Sequence, residues 1–295
     1  MADRNVMPAL PTVPTPEPPE LHLFAGPYVV LGGRRREVPE GSKRLLVYVA
    51  LQGGQVDRKA VAGTLWPVGD DARAAGNLRS ALWRLRGAGI DVLESTPSWL
   101  RVRTDVVVDL EVRSAWAMRL TEGRACADDL REDVWRSVTL DLLSSWDEDW
   151  VVFERERLRQ RVLHGLEALS RLLVCSGRLP QAVEVAAATV RADPLRESAQ
   201  RVLIEAHLAR GDVDLARQHY DLFRALLDSR LRVGATAALS ALVAGWPILP
   251  APRRTEPEGP GPRAAATPAP RRPTGDQPGA PVARTLVLPG SRRLQ

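Results

Sequence analysis

Apolar and polar positions in the first hundred residues change from strand-like to helix-like spacing and back again. Residues 21–39 consist of three short alternating segments, LHLFAG, PYVVLGG and RRREVP, separated by glycine turns. Helical spacing follows at 43–52, 58–66 and 70–86, and the segments DVLES and SWLRVR then alternate on either side of a Thr-Pro pair at 91–103. The pattern predicts three strands, three helices and a terminal hairpin.

Single residues predict where the first two helices begin and end. Ser42 and Asp57 have the side chains that are preferred at helix N-caps, and we predict that they cap the first and second helices. The second helix is expected to end at Trp66, because Pro67 disfavours helical geometry in the residue before it. The first helix is expected to bury Leu45, Leu46, Val49 and Ala50.

The third helix, predicted from Asp70 to Arg86, has two distinct faces. Its apolar stripe consists of Ala74, Leu78, Ala81, Leu82 and Leu85. Its polar face consists of Arg73, Asn77, Ser80 and Arg84. A solvated amphipathic helix rich in arginine has the same pattern, so the two faces alone leave open whether the polar one meets solvent or a nucleic acid.

The second half of the chain is predicted to be helical and repetitive. Asp109 is a candidate cap for its first helix, and 150–176 has the spacing of one long helix that Gly177 ends. Gly177 and Gly211 are 34 residues apart, and the same offset relates Leu169 to Leu203, Leu179 to Val213 and Ala182 to Ala216. This is the period of tetratricopeptide helix pairs, so we predict a small helical stack, with a plain helical bundle as the alternative.

Composition divides the chain into four predicted regions. Residues 1–20 contain six prolines, and 246–295 are rich in Pro, Ala, Gly and Arg without periodicity, so both ends are predicted to be disordered. The regions between them are 21–104 and 105–245. We expect a cytoplasmic protein, because no signal peptide or membrane span is evident. The two cysteines, Cys126 and Cys175, are predicted to be reduced and buried.

The net charge of +5 is distributed unevenly. Residues 21–104 contain thirteen basic and seven acidic residues, whereas 105–249 contain nineteen and twenty-three. A basic segment ahead of an acidic one suggests that the first half meets a polyanion and the second half another partner. Thirty-nine of the forty-one basic residues are arginine, a bias that a GC-rich genome also produces. The placement of the arginines therefore matters more than their number.

Several segments resemble a known family. GSKRLLVYVAL, VDRKAVAGTLWP, NLRSALWRLR and SWLRV are similar to the OmpR-type winged helix of the Streptomyces antibiotic regulatory proteins. LLSSWDEDWVVFERERLRQ and the helical segment up to FRALL are similar to the bacterial transcriptional activator domain that follows it in that family. The resemblance implies a mostly α fold with a small β component, a winged helix-turn-helix followed by an all-α tetratricopeptide-like domain.

The resemblance also implies a function and partners. Such a protein is a sequence-specific regulator, most often an activator of secondary-metabolite genes. It binds double-stranded promoter DNA, as a homodimer on direct repeats, and its helical domain contacts the RNA polymerase holoenzyme or the second protomer. In the family the third helix enters the major groove and the hairpin wing reaches the neighbouring minor groove.

The resemblance assigns roles to the residues of the third helix. Arg84 matches a base-reading arginine of OmpR-type domains, and Arg73, Asn77 and Ser80 share its face. We predict these four as base-reading residues. Phosphate contacts are predicted for Arg79, Trp83, Arg86, Lys43, Arg44, Trp66 and Arg101. For Trp66 and Trp83, packing beneath the helix is an equally open alternative.

Enzyme chemistry is not evident. Neither lysine follows a glycine-rich phosphate loop, and metal-ligand spacing is absent among the four histidines, His22, His164, His207 and His219. We therefore predict no catalytic activity, cofactor or metal; no small-molecule ligand is evident, and the sequence leaves open whether one controls the protein. The alternative to a regulator is a tetratricopeptide adaptor whose degenerate winged helix lacks specific DNA binding. Pro97-Ser98-Trp99 at the wing tip, where the family commonly has Gly-Gly-Tyr, and the acids Asp70 and Asp71 favour it.

Overall fold

The computed structural model describes residues 17–24, 26–138 and 140–244. The predicted disorder of residues 1–16 and 246–295 lies outside this part of the chain. Glu20, which falls in the segment predicted to be disordered, is the first residue of a strand. The described part is mostly helical with two small sheets, which confirms the predicted fold class.

The N-terminal part, 17–108, has the arrangement of a winged helix. Its elements are β1 (Glu20–His22), β2 (Tyr28–Leu31), β3 (Arg34–Glu37), α1 (Glu40–Gln52), β4 (Val56–Asp57), α2 (Arg58–Leu65), α3 (Asp71–Gly87), β5 (Leu93–Ser95), β6 (Trp99–Val102) and β7 (Val107–Val108). One sheet has the order β3-β2-β1-β7, with β7 parallel to β1, and the other has the order β4-β6-β5. The hairpin β5–β6 is the predicted wing.

The apolar stripe of α3 anchors this helix in the core. All five residues predicted for the stripe are buried, and so are the four predicted for the inward face of α1. Removing a large apolar side chain from water contributes about 1.5–3 kcal/mol, so the buried leucines hold α3 firmly against α1 and α2. The opposite face of α3 is left at the surface.

Ser42 does not cap α1, so that prediction is wrong. The helix begins two residues earlier, at Glu40, after Pro39 with extended backbone angles. Ser42 is fully buried, and its hydroxyl donates a 2.8 Å hydrogen bond to the carbonyl of Ala81 in α3. A contact distant in sequence therefore uses the hydroxyl that the local pattern assigned to capping.

Asp57 caps α2 as predicted, and α3 and α1 also have well-defined ends. The Asp57 carboxylate accepts a 2.8 Å hydrogen bond from the Ala60 amide and caps α2, and the Asp70 carboxylate accepts one of 2.8 Å from the Arg73 amide and caps α3. Gly53 ends α1 with a left-handed φ of 63°, a conformation that glycine adopts without steric cost. The Asp70 carboxylate is therefore held in a hydrogen bond at the N-terminus of α3.

The C-terminal part, described at 109–138 and 140–244, is mostly helical. They are α4 (Asp109–Thr121), a 3-10 turn (Asp128–Leu130), α5 (Glu132–Arg136), α6 (Asp149–Cys175), α7 (Leu179–Ala192), α8 (Glu197–Arg210), α9 (Val213–Leu231) and α10 (Ala237–Ala244). The long helix α6 packs against α4, α7 and α8, and α8 packs against α9.

The 34-residue offset is a structural repeat. Gly177 follows α6 and Gly211 follows α8, with left-handed φ angles of 73° and 88°. The residues at matched positions of the next helices, Ala182 in α7 and Ala216 in α9, are both fully buried. Each unit thus ends one helix at a glycine and starts the next with a small residue at the contact, as in tetratricopeptide pairs.

Helices α4 and α6 approach closely at a glycine. A Cβ atom added to Gly165 of α6 would lie 3.0 Å from both the Cα and the Cβ of Ala117 in α4. Ala117 is fully buried. The first helix after the winged helix is therefore seated directly against the longest helix of the repeat.

Arg155 organises the irregular segment before α6. Its guanidinium donates to the carbonyl of Leu142 at 2.7 Å, to that of Trp146 at 2.8 Å, and also to that of Leu143. Leu142 and Leu143 are buried. One side chain therefore satisfies three backbone carbonyls in a segment that has no regular secondary structure of its own.

Two further predictions are wrong. Asp109 is the first residue of α4, but its carboxylate accepts hydrogen bonds from the amides of Leu23 (2.9 Å) and Phe24 (3.3 Å) instead of capping its own helix. Cys126 and Cys175 are free thiols, as expected, but both are exposed. Cys126 lies in a loop and Cys175 is the last residue of α6, so neither position faces a core.

Candidate nucleic-acid interface

The predicted base-reading residues lie on the surface of α3. Arg73, Ser80 and Arg84 are exposed and Asn77 is half-buried. Trp83 is 74% exposed, which is unusual for an indole in a helix that is otherwise well packed. A shallow depression is lined by Arg79, Ser80, Trp83 and Arg84.

Hydrogen bonds within the protein hold two of these side chains. The Arg84 Nη1 donates to the carbonyl of Gly41 at 2.9 Å, and the Ser80 hydroxyl donates to the carbonyl of Gly76 at 3.0 Å. A Cβ on Gly41 would lie 2.6 Å from the Arg84 Nη1, so the absence of a side chain at Gly41 makes room for the guanidinium. Arg84 therefore lies across the start of α1, with donors left over for another partner.

Arg58 belongs to this surface, and the sequence analysis missed it. Its Nη1 donates to the Ser95 hydroxyl at 2.6 Å and to the Thr96 carbonyl at 3.3 Å, so it ties α2 to the wing. Burial and the positive charges of Arg79 and Arg86 lower the pKa of Arg58. The positive charges of Arg79 and Arg86 in α3 therefore act on Arg58 at the start of α2.

A signal for Arg58 exists in the sequence. It is the first residue of α2, directly after the cap Asp57, and α2 is the helix before α3. In a helix-turn-helix these neighbouring helices lie close in space, so a basic residue at the start of one can stand beside the basic face of the other. Only the packed structure shows that it does.

Other residues predicted for phosphate contact have acidic partners or lie against the core. Lys43 pairs with Glu40 at 2.6 Å, and Arg44 pairs with Glu148 of the C-terminal part at 3.2 Å. Arg101 pairs with Glu94 at 2.6 Å, on the wing. Trp66 is half-buried and packs against the main core. None of these four lines the depression on α3 that Arg79, Ser80, Trp83 and Arg84 form.

The described ranges contain no candidate metal site. No group of three or more His, Cys, Asp or Glu side chains there is placed to hold a metal ion. No helix in the same residues has the length and apolar character needed to cross a membrane.

The fold and this surface define a class: a winged helix with an exposed basic third helix, followed by a stack of paired helices. Residues 132–245 match the family model described as bacterial transcriptional activator domain. The C-terminal helices of the chain are therefore similar to this activator domain.

A solved structure supports the fold. The chain is similar to Mycobacterium tuberculosis EmbR in complex with a low affinity phosphopeptide, with 20% sequence identity and a TM-score of 0.61. The similarity covers 77% of this chain and 64% of the EmbR chain, so this chain spans less than two thirds of the length of EmbR in that structure. No curated protein matches the chain.

Proposed function

We propose that this chain is a transcriptional regulator of the Streptomyces antibiotic regulatory protein type, a sequence-specific DNA-binding activator that inserts α3 into the major groove of promoter DNA. The observation that carries the proposal is the exposed basic face of α3, where Arg79, Ser80, Trp83 and Arg84 line one shallow depression. Exposed guanidinium groups carry the charge that phosphates attract, and neutralising phosphates supplies a large share of the affinity of DNA-binding proteins.

The proposed roles follow from exposure and donor geometry. Arg84, Arg73, Asn77 and Ser80 read base edges, because Arg and Asn pair bidentately with guanine and adenine. Arg79, Arg86 and Arg58 hold the backbone and fix the register. Arg84 exchanges its hydrogen bond to the Gly41 carbonyl for a base, which costs about 1 kcal/mol and is offset by a bidentate contact.

The helical repeat is proposed to contact the RNA polymerase holoenzyme or a second protomer on DNA. The match of residues 132–245 to the activator domain supports this partner class. The excess of acid in residues 105–249, twenty-three acidic against nineteen basic residues, disfavours a second DNA contact there. The same proposal has the protein control secondary-metabolite genes. It also has the protein act in the cytoplasm.

The test is a salt titration of binding to the region upstream of the chain's own gene, after footprinting has located the site. Arg84→Ala is expected to weaken specific binding by about 1–3 kcal/mol and to leave random DNA nearly unaffected. Arg86→Ala is expected to weaken both and to reduce the salt slope by about 1. Arg124→Ala, an exposed arginine of the C-terminal part, is the matched control. Wild-type binding by both α3 variants would refute the proposal.

A second candidate is a tetratricopeptide adaptor with a degenerate winged helix. The pairing of Lys43, Arg44 and Arg101 with acids of the same chain favours it, because these cations are already neutralised. Binding in the micromolar range or weaker, with no preference for any upstream site, would support the adaptor over the activator.

A further inference from the structure

A cavity of about 470 Å³ lies where the first sheet meets α4 and α5. Its apolar wall includes Val107 of β7, Val112 and Trp116 of α4, and Val138 after α5. Val107 and Val112 are 39% and 56% exposed, so this wall is open to solvent. The volume is within the range of small-molecule sites, and apolar walls with a few polar groups are typical of them.

One polar atom at this cavity lacks a partner. The Oδ2 of Asp109 accepts the amides of Leu23 and Phe24, whereas Oδ1 is buried and has no hydrogen-bond partner among the described residues. An unsatisfied buried acceptor destabilises the folded state, and more so when it is charged. Burial raises the pKa of Asp109, which reflects the same deficit. The Oδ1 of Asp109 is therefore available to accept a hydrogen bond from a bound molecule.

The charges around the cavity favour a cation. Four acids line it, Glu20, Asp109, Asp128 and Asp129. The His22 ring, also in the lining, is hydrogen-bonded to Glu20 at 2.9 Å, and Arg119 holds Asp129 at 2.6 Å. Arg113 also lines the cavity and stacks on the Phe24 ring, 3.8 Å from its centre. Acids outnumber arginines by four to two in the lining, so the local field attracts positive charge.

We propose that this cavity binds an organic amine, a small apolar molecule with one ammonium group that donates to the Oδ1 of Asp109. Its apolar body lies along Val107, Val112 and Trp116. The site is formed by the sheet of the winged helix, by α4 and by residues after α5 that belong to the matched activator domain. An occupant therefore touches both parts of the chain, and this inference rests on the proposed function, under which the occupant is an effector of the regulator.

The first test is calorimetric titration of the full chain with 1-naphthylmethylamine as the probe. Asp109→Asn is expected to weaken binding at least about tenfold, because the variant loses a charge-assisted hydrogen bond. The asparagine oxygen can still accept the amides of Leu23 and Phe24, while its NH₂ group faces the probe as a second donor. Asp147→Asn, an exposed acid outside the cavity, is the control and should bind as the wild type does.

A second pair of variants keeps the proposal testable if Asp109→Asn fails to fold. Val112→Arg places bulk and positive charge in the apolar wall and should abolish binding. Met118→Arg makes the same change at a 42% exposed position of α4 that does not line the cavity, and should not affect binding. Equal affinity for 1-naphthoate and the amine, or unchanged binding by Asp109→Asn or Val112→Arg, would overturn the proposal.

Discussion

The hydroxyl of Ser42 donates a 2.8 Å hydrogen bond to the carbonyl of Ala81, and both residues are fully buried. Ser42 lies in the first turn of α1 and Ala81 near the middle of α3. Apolar packing alone allows a helix to rotate by small amounts about its axis, whereas a hydrogen bond between two helices selects one rotation. This contact therefore sets the direction in which the exposed face of α3 points.

Ser42→Ala is expected to lower the free energy of unfolding by about 1 kcal/mol. The loss is modest because the Ala81 carbonyl keeps its bond within α3. Urea denaturation measures it. Ser229→Ala is the control, since Ser229 is exposed and its hydroxyl bonds only within its own helix, to the Leu226 carbonyl. Equal stability of the two variants would show that the hydrogen bond between α1 and α3 does not stabilise the fold.

Gly165→Ala is expected to destabilise the protein by about 1–3 kcal/mol, because the new Cβ would press against the backbone of Ala117. Gly63→Ala in α2 is the opposite case. A Cβ there meets nothing within 4 Å, so the gain in helix propensity of up to about 1 kcal/mol should appear in full. Thermal unfolding of the two variants should therefore shift in opposite directions.

The pairing of Asp129 with Arg119 predicts a pH-dependent contribution to stability. A hydrogen bond from Arg119 lowers the pKa of Asp129 to about 2, and the Asp129 side chain is 4% exposed. The pKa of Asp129 is lower in the folded chain than the unfolded value of 3.8. The pair of Asp129 and Arg119 therefore contributes about 2 kcal/mol to the free energy of unfolding above pH 4, and this contribution is lost as pH falls towards 2.

Asp129→Asn should therefore destabilise the protein most at pH 7, with a difference that shrinks below pH 4. Urea titrations at several pH values measure this. Asp133→Asn removes an exposed carboxylate from a pair with Arg131 and should leave stability nearly unchanged. A constant difference between pH 7 and pH 3 would contradict the assigned pairing.

A pair of stacked histidines predicts a loss of stability in mild acid. The rings of His207 in α8 and His219 in α9 lie 5.1 Å apart and nearly parallel. Burial lowers the pKa of both; Arg210 lowers that of His207 further, and Asp212 opposes the shift. The unfolded chain thus takes up protons first, and stability falls as pH drops below about 6.5.

His219→Phe keeps a ring at the contact and removes one titrating group, so it should reduce the fall in stability between pH 7 and pH 5. Denaturation midpoints across this range check it. His164→Gln, at an exposed position of α6, is the comparison and should retain the wild-type pH profile. A steeper profile for His219→Phe would contradict the assignment.

Local patterns predicted what depends on local chemistry. The stripe of α3 and the 34-residue offset follow from helix periodicity and from glycine at helix ends, so both were found from the sequence. The roles of Ser42 and Asp109 were not, because each side chain serves a partner far away in sequence, which outweighs its own preference for a helix end. Arg58 comes within reach of the charges of Arg79 and Arg86 only through the packing of α2 against α3.

Strand β7 has a consequence for how such proteins can be divided. It pairs with β1 in parallel, and the Val107 amide donates to the Pro19 carbonyl at 2.8 Å, so the sheet is completed by residues that lead straight into α4. A fragment ending at residue 104 would leave β1 as an open edge, the kind of surface along which proteins aggregate. Recombination between relatives that preserves the sheet must therefore place its junction after Val108, so that the N-terminal part takes its closing strand with it.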